Sequence, residues 1–389
     1  MRAQLQKTAL IVLGLAGGLL LAETGLRLYG AYFRFSRPAG APAAGAVKIL
    51  CVGDSFTYGI GSPPGSGYPE QLRKLLDTNY GTGAYAVINA GVPAQNSSEL
   101  AARIDYLLAA HRPNLLLILT GANNYNLRDS NFFLFAPEEL SFTRNAALKA
   151  DVLFSRLKTY KLVKLGAKLL FRRWQAGTYV PPACSPETQK TISEAMAEND
   201  RHDFGKGAAI METALLKDGD CAELYFQAGR MRFYFRDFPG AFAHFRKGRE
   251  LDPRHPFVDI FLSQEIPLLR PEVSGRALDK LLRYDLEIIC EAAIRSGAVP
   301  LIQTYPFVTD SERDWVRSEV AAELGVPLID HHKVFLPLMA GKKFRDYLSG
   351  DEPDLPASHP NSAGYKLLAG NIYAAGLSLK LFPPVAPRK

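Results

Sequence analysis

Four short segments of this 389-residue chain hold residue types that can do acyl chemistry: Ser55 in "ILCVGDSFTYG", Gly91 in "NAGVPAQNS", Asn123 in "LTGANNYN" and His359 in "SHPNSAGYKLLA". A serine hydroxyl is a weak nucleophile until a neighbouring imidazole takes its proton, and the oxyanion formed on attack needs fixed N–H donors. The triplet Gly53-Asp54-Ser55 alone is ambiguous, because Asp and Ser in front of a helix also serve as turn and cap residues. A hydroxyl, an imidazole, an amide and a loop glycine, each closing or opening a separate element, form a set that helix capping does not need.

These residues are far apart in the chain, so the fold has to bring them together. "VKILCVG" reads as a short buried strand, "YPEQLRKLLDTNY" as a helix, "AYAVINAG" as a second strand, "SSELAARIDYLLAAH" as a second helix and "NLLLILTG" as a third strand. The alternation resumes with "RYDLEIICEAAIRSG" as helix, "AVPLIQTYP" as strand, "SERDWVRSEVAAELG" as helix and "VPLID" as strand. Such a pattern predicts βαβ units around a parallel sheet, one α/β domain split by an insertion. In an open parallel sheet the carboxyl ends of the strands share one edge, where ligands bind. Ser55, Gly91 and Asn123 follow three such ends, and His359 precedes the last helix.

At these residues the chain resembles the SGNH, or GDSL-like, hydrolase superfamily. The resemblance runs over about residues 47–136 and 278–381, through Gly53-Asp54-Ser55, Gly91, Gly121-Ala122-Asn123-Asn124 and His359-Pro360-Asn361. It implies a flavodoxin-like three-layer α/β/α sandwich, with Ser55 as nucleophile and His359 as general base. The oxyanion hole it implies is made of the Ser55 and Gly91 backbone N–H groups and the Asn123 side chain. Two positions depart from the pattern. Asn124 stands where an aspartate is usual, and Pro356 stands three residues before His359, where the third triad member is commonly an aspartate. Asp354, five before His359, is the nearest carboxylate and is taken here as the triad acid. Asp351, Asp330 and a backbone carbonyl that orients the imidazole in a Ser-His dyad are the alternatives.

The insertion carries a repeat. Gly229, Asp237, Phe238, Ala241, Phe245, Gly248 and Pro253 fall where a 34-residue helix-turn-helix repeat needs small, turn or packing residues. Subtracting the period gives Ala195, Asp203, Phe204, Gly207, Met211, Ala214 and Gly219. Two tetratricopeptide-type units are expected, over residues 186–222 and 222–255, with Arg232 departing from the tyrosine usual at its position. A helical hairpin that only pads the fold is the plainer alternative. Two repeats are too few for a free solenoid.

Ahead of the domain, Arg2 and Lys7 precede the uncharged run Ala9–Ala22. Fourteen residues fall short of the roughly 20 a spanning helix needs, but Leu26, Leu28, Tyr29, Tyr32 and Phe33 extend the apolar and aromatic character. With Leu20 where a cleavage site wants a small residue, the expectation is an uncleaved transmembrane anchor, with the rest of the chain extracytoplasmic, periplasmic in a Gram-negative-type cell. The expected organisation is an anchor at 1–35, a linker at 36–46, the first hydrolase part at 47–180, the helical insertion at 181–270 and the second hydrolase part at 271–389.

The formal charge of +7 spreads its lysines and arginines among acids, so no nucleic-acid partner is implied. "SRLKTYKLVKLGAKLLFRRW", Ser155 to Trp174, is the exception: a basic amphipathic stretch that suits either an anionic membrane surface or packing on the sandwich. Cys51 and Cys290 read as buried apolar residues, and Cys184 and Cys221 as a disulfide pair if the compartment is oxidising. His331 and His332 form no rival site, and no metal, nucleotide or dinucleotide motif is present, so no cofactor is expected. The function expected is a membrane-anchored serine esterase acting on O-acyl groups of an envelope glycan or lipid. The same site with an acceptor hydroxyl in place of water would be an O-acyltransferase. A non-catalytic assembly protein that recruits partners through the repeats is the alternative of a different class.

Overall fold

A computed structural model describes residues 46–139, 184–200, 203–234, 236–255, 258–306, 313–340, 346–349 and 359–382, together with scattered residues of 6–28 and 143–170. Among the described residues no helix is long and apolar enough to cross a membrane. The anchor and linker expectations fall largely outside the described residues, as does much of the basic stretch at 155–174.

The chain divides into two compact units. One comprises the described residues of 34–125, 129–135 and 276–389. Its strands are β1 (Val47–Gly53), β2 (Tyr85–Asn89), β3 (Leu115–Leu119), β4 (Val299–Gln303) and β5 (Leu328–Ile329). All pair in parallel, in the order β2-β1-β3-β4-β5. That order changes direction between β1 and β3, and the crevice beyond those two strand ends is where open α/β sheets bind ligands.

Side chains of a strand alternate between its faces, so near-continuous apolar strands bury both. On one face Ile49, Cys51, Leu115, Leu117 and Leu301 pack with helices α1 (Ser55–Tyr58), α2 (Tyr68–Tyr80) and the C-terminal helix Ser362–Ser378. On the other, Leu50, Val52, Leu116, Ile118 and Ile302 pack with α3 (Ser97–His111), with the second half of the long helix Pro271–Arg295 and with the helix Asp314–Leu324. The result is a three-layer α/β/α arrangement. Cys51 and Cys290 are free and buried, and burial pushes both thiols up, Cys290 to about 12.

The second unit comprises the described residues of 1–33, 126–128 and 136–275. Continuing the numbering, α4 (Pro186–Asp200) pairs with α5 (Phe204–Leu215), and α6 (Ala222–Tyr234) with α7 (Phe238–Leu251). Asp203 and Asp237, one 34-residue period apart, cap α5 and α7 alike: the Asp203 carboxylate accepts the Lys206 N–H and the Asp237 carboxylate the Gly240 N–H. Gly229 gives the Phe245 ring its seat, since a Cβ there would lie 2.7 Å from the ring. Arg232 donates to Glu212 at 2.7 Å and also to Asp237, tying the first hairpin to the second. Cys184 and Cys221 are joined by a disulfide.

Candidate active site

β1 ends at Gly53, whose positive φ and close approach to β3 exclude a side chain: a Cβ would lie 2.0 Å from the Leu119 carbonyl oxygen. The chain then turns into α1. Asp54 caps this helix, with its Oδ1 accepting the Phe56 N–H at 3.0 Å, and Ser55 is the first helical residue. The capping role that the triplet suggests belongs to Asp54, which leaves the Ser55 hydroxyl free for other work.

His359 arrives from the other end of the chain. Asn361 caps the helix Ser362–Ser378 through the Ala363 and Gly364 N–H groups, and its Nδ2 donates to the Asp346 and Leu348 carbonyls. Ser349 donates both its N–H and its hydroxyl to the His359 carbonyl, at 2.8 and 2.9 Å. Gly61, in the left-handed region at φ 91°, lets this segment close in, because a Cβ there would lie 2.9 Å from His359 Cβ. So held, His359 Nε2 lies 2.7 Å from Ser55 Oγ, and its ring packs on Phe56 at 4.9 Å between centroids. Ser55 and His359 are both half-buried, accessible to a small substrate.

Asn123 follows β3 and is half-buried. Among the described residues its carboxamide makes only long bonds, donating to the Gln95 carbonyl at 3.4 Å and accepting from Tyr125 at 3.5 Å. Asn124, in the position where the resemblance has aspartate, turns inward, and its Oδ1 accepts the Ser97 N–H at 2.9 Å. Behind it Asp285 accepts the Ser97 and Ser98 hydroxyls at 2.6 and 2.7 Å and the Asn131 amide at 2.8 Å. Burial raises the Asp285 carboxyl above the usual carboxylate range, against the pull of those three donors.

The Gly91 N–H is engaged: it donates to Asn89 Oδ1 at 3.0 Å, while Asn89 Nδ2 donates to Glu70 at 3.1 Å. The absence of a side chain at Gly91 has its own reason. A Cβ there would lie 2.3 Å from the Tyr58 nitrogen and 2.7 Å from the Thr57 carbonyl carbon, so α1 could not pack against the end of β2. Two residues on, Val92 donates to the Gly53 carbonyl, and Ala94 takes the left-handed conformation at φ 60°. Gln95, which receives the Asn123 bond, follows directly.

Asp354, Asp351 and Pro356 lie outside the described residues. Asp330 is committed elsewhere: its carboxylate accepts the Thr304 hydroxyl and caps the helix His332–Ala340 through the Lys333 N–H. His331 is fully buried between Gln303 and Asn371, at 3.0 and 3.1 Å, and burial pushes its imidazole down to about 3, so it is a neutral structural residue.

The buried groups beneath Ser55 are not apparent in the sequence. Asp54 is fully buried, and burial lifts its carboxyl to about 6 against hydrogen bonds from Tyr305 and Phe56 and the attraction of Arg317. Tyr305 and Arg317 are buried as well. An aromatic residue two positions beyond β4 and an arginine within an amphipathic helix carry no signal that separates them from ordinary core and surface residues.

The GDSL-like lipase/acylhydrolase family matches residues 51–202. Esterase TesA of Pseudomonas aeruginosa is 30% identical over 174 residues, covering 44% of this chain and 71% of the relative. Among solved structures, a two-domain esterase active on acetylated mannans aligns at 12% identity and TM-score 0.40, over 92% of this chain and 56% of that one. A mutant of esterase AlinE4 aligns at 14% identity and TM-score 0.34, over 87% and 97%. The chain thus spans little more than half the length of the two-domain esterase. The parallel sandwich, with a serine and an imidazole brought together at its switch point, and the family match define a hydrolase of ester bonds. The chain belongs to the GDSL-like lipase/acylhydrolase family.

Proposed function

We propose that this protein is a serine esterase of an extracytoplasmic compartment that removes O-acyl groups from an envelope glycan or lipid. The observation that carries the reading is the 2.7 Å hydrogen bond between Ser55 Oγ and His359 Nε2. Ser55 Oγ attacks the ester carbonyl carbon as its proton passes to His359 Nε2. The tetrahedral oxyanion is held by the Ser55 N–H and the Asn123 amide, joined by the Gly91 N–H once it sheds Asn89. Collapse expels the alcohol, which takes the proton from His359 and leaves an acyl-serine. Water then attacks with His359 again as base, releasing the acid and restoring the serine. Asp354 is proposed as the carboxylate that steadies the imidazolium.

The compartment is argued from the Cys184–Cys221 disulfide, a bond typical of oxidising compartments, and the tether from the apolar run Ala9–Ala22. Asp203 and Asp237, capping corresponding helices one period apart, favour two tetratricopeptide-type units as the content of the insertion, with a protein partner as their use. Hydrolysis of p-nitrophenyl acetate and longer acyl esters by the full-length protein, beside Ser55→Ala, tests the esterase. Turnover lost in Ser55→Ala with folding intact is expected. Turnover that survives the substitution contradicts the mechanism.

A further inference from the structure

Tyr305 lies two residues beyond the end of β4 and is fully buried. Its hydroxyl donates to Asp54 Oδ2 and accepts the Ala122 N–H at 3.3 Å. Asp54 precedes Ser55 and Ala122 precedes Asn123, so one oxygen joins the turn after β1 to the turn after β3. The ring meets Phe56 edge-on, at 5.1 Å between centroids and 82°, and Phe56 in turn packs on the His359 imidazole. A single phenol therefore touches the chain neighbours of Ser55 and Asn123 and the ring against which His359 rests.

The phenol is itself held. The Arg317 guanidinium sits 4.8 Å from its ring centroid. Arg317 donates to the Thr120 carbonyl at 2.8 Å and to Asp314 at 2.9 Å, which anchors it to the same β3 turn. Gly121 leaves the room, since a Cβ there would lie 2.9 Å from the guanidinium. The two bonds of the Tyr305 hydroxyl and the two Arg317 donations are buried, so displacing these groups strands desolvated donors and acceptors.

We propose that Tyr305 is a positioning residue for the hydrolytic reaction: its hydroxyl locks the Ser55 turn and the Asn123 turn in the register that the transition-state oxyanion requires. The inference rests on the serine-esterase reading above. Tyr305 touches no reacting atom. Its effect is on geometry, and oxyanion stabilisation depends on donors placed in advance of the reaction. Misplacement of such groups by about 1 Å costs on the order of 100-fold in rate.

The test uses the full-length protein and two nearly isosteric variants, Tyr305→Phe and Asp54→Asn, with p-nitrophenyl acetate as substrate and phenylboronic acid as an oxyanion mimic. Tyr305→Phe keeps the ring against Phe56 and Arg317 and removes only the hydroxyl. In Asp54→Asn the oxygen stays on the Phe56 N–H, so the amide turns a donor toward Tyr305 and reverses that hydrogen bond. Each variant is expected to lower kcat by roughly 10- to 100-fold, with KM within about threefold, and boronate affinity is expected to fall with kcat. The double variant is expected to be no slower than the worse single one, since both alter the same hydrogen bond. Should Tyr305→Phe not fold, Asp54→Asn carries the comparison of kcat, KM and boronate affinity. A folded Tyr305→Phe with kcat within twofold of wild type overturns the proposal, as do losses that multiply in the double variant. Wild-type protein with no Ser55-dependent turnover overturns the esterase reading and this inference with it, a result distinct from an active wild type with indifferent variants.

Discussion

The Asn89 carboxamide oxygen accepts the Gly91 N–H at 3.0 Å, so the backbone amide expected to face an oxyanion is spent on its own strand end. An oxyanion hole acts through donors that need no rearrangement at the moment of reaction. In the proposed mechanism Asn123, whose amide donates among the described residues only over 3.4 Å, is the better prepared donor. Asn123→Ala is expected to lower kcat by about 100- to 1,000-fold, the usual loss for one oxyanion donor. Asn89→Ala, which removes the acceptor holding Gly91 together with the Nδ2 donor to Glu70, is expected to change kcat by less than about tenfold. Steady-state kinetics of the two variants side by side decide it, and a loss of less than about tenfold in Asn123→Ala would contradict that ranking of donors.

Gly91 is predicted from the sequence as a donor, and the structure adds a steric demand. Its missing side chain makes room for the backbone of Thr57 and Tyr58, which cannot rotate away as a flexible side chain would. Gly91→Ala is expected to destabilise the fold by about 1–3 kcal/mol, the range for overpacking a tight contact. Urea unfolding measures this directly, and an unchanged midpoint would show that α1 can move off β2 at little cost.

Asp54 gives a signed pH dependence. Its folded pKa, about 6, lies above the ordinary 3.8, so between those values the native state binds more protons than the unfolded one. Stability from this group is full below pH 3.8, is lost as pH rises through 6, and then levels off. Relative to Asp54→Asn, which cannot ionise, the wild type is expected to lose about 2 kcal/mol between pH 4 and pH 7. Urea titrations of both proteins across that range provide the check. A difference that stays flat with pH would mean that Asp54 is not held in a desolvated site.

The Cys184–Cys221 disulfide closes a loop across a sequence separation of 37 residues. Restricting the unfolded chain over such a loop contributes about 3–4 kcal/mol. Reduction is expected to speed amide hydrogen exchange across 186–251 and to leave the protection of β1 and β3 unchanged. Uniform loss of protection in both units would contradict that division of labour.

Much of the catalytic sheet is legible in the sequence because its signals are local. The helices read at "YPEQLRKLLDTNY" and "SSELAARIDYLLAAH" form over those same residues, the second closed by a capping box between Asn96 and Glu99. Four of the strands are runs of apolar residues bounded by turn residues, and β5 is cut to Leu328–Ile329 at the sheet edge. Ser55 and His359, read as partners 304 positions apart, do meet. What the sequence conceals depends on tertiary approach. Nothing in "AYAVINAG" says that Asn89 folds back on Gly91, and nothing in "AVPLIQTYP" distinguishes Tyr305 as the contact between two turns rather than another core aromatic. Arg317 belongs with these, since a buried arginine is recognisable only once the groups around it are in place.

In the proposed mechanism Ser55 is a nucleophile made reactive by His359. Labelling of the full-length protein with a fluorophosphonate, followed by peptide mass mapping, tests it most directly. One adduct is expected, on Ser55, and its formation slows by orders of magnitude in His359→Ala while the protein stays folded. An adduct on another residue, or labelling of Ser55 at the same rate without His359, would contradict it.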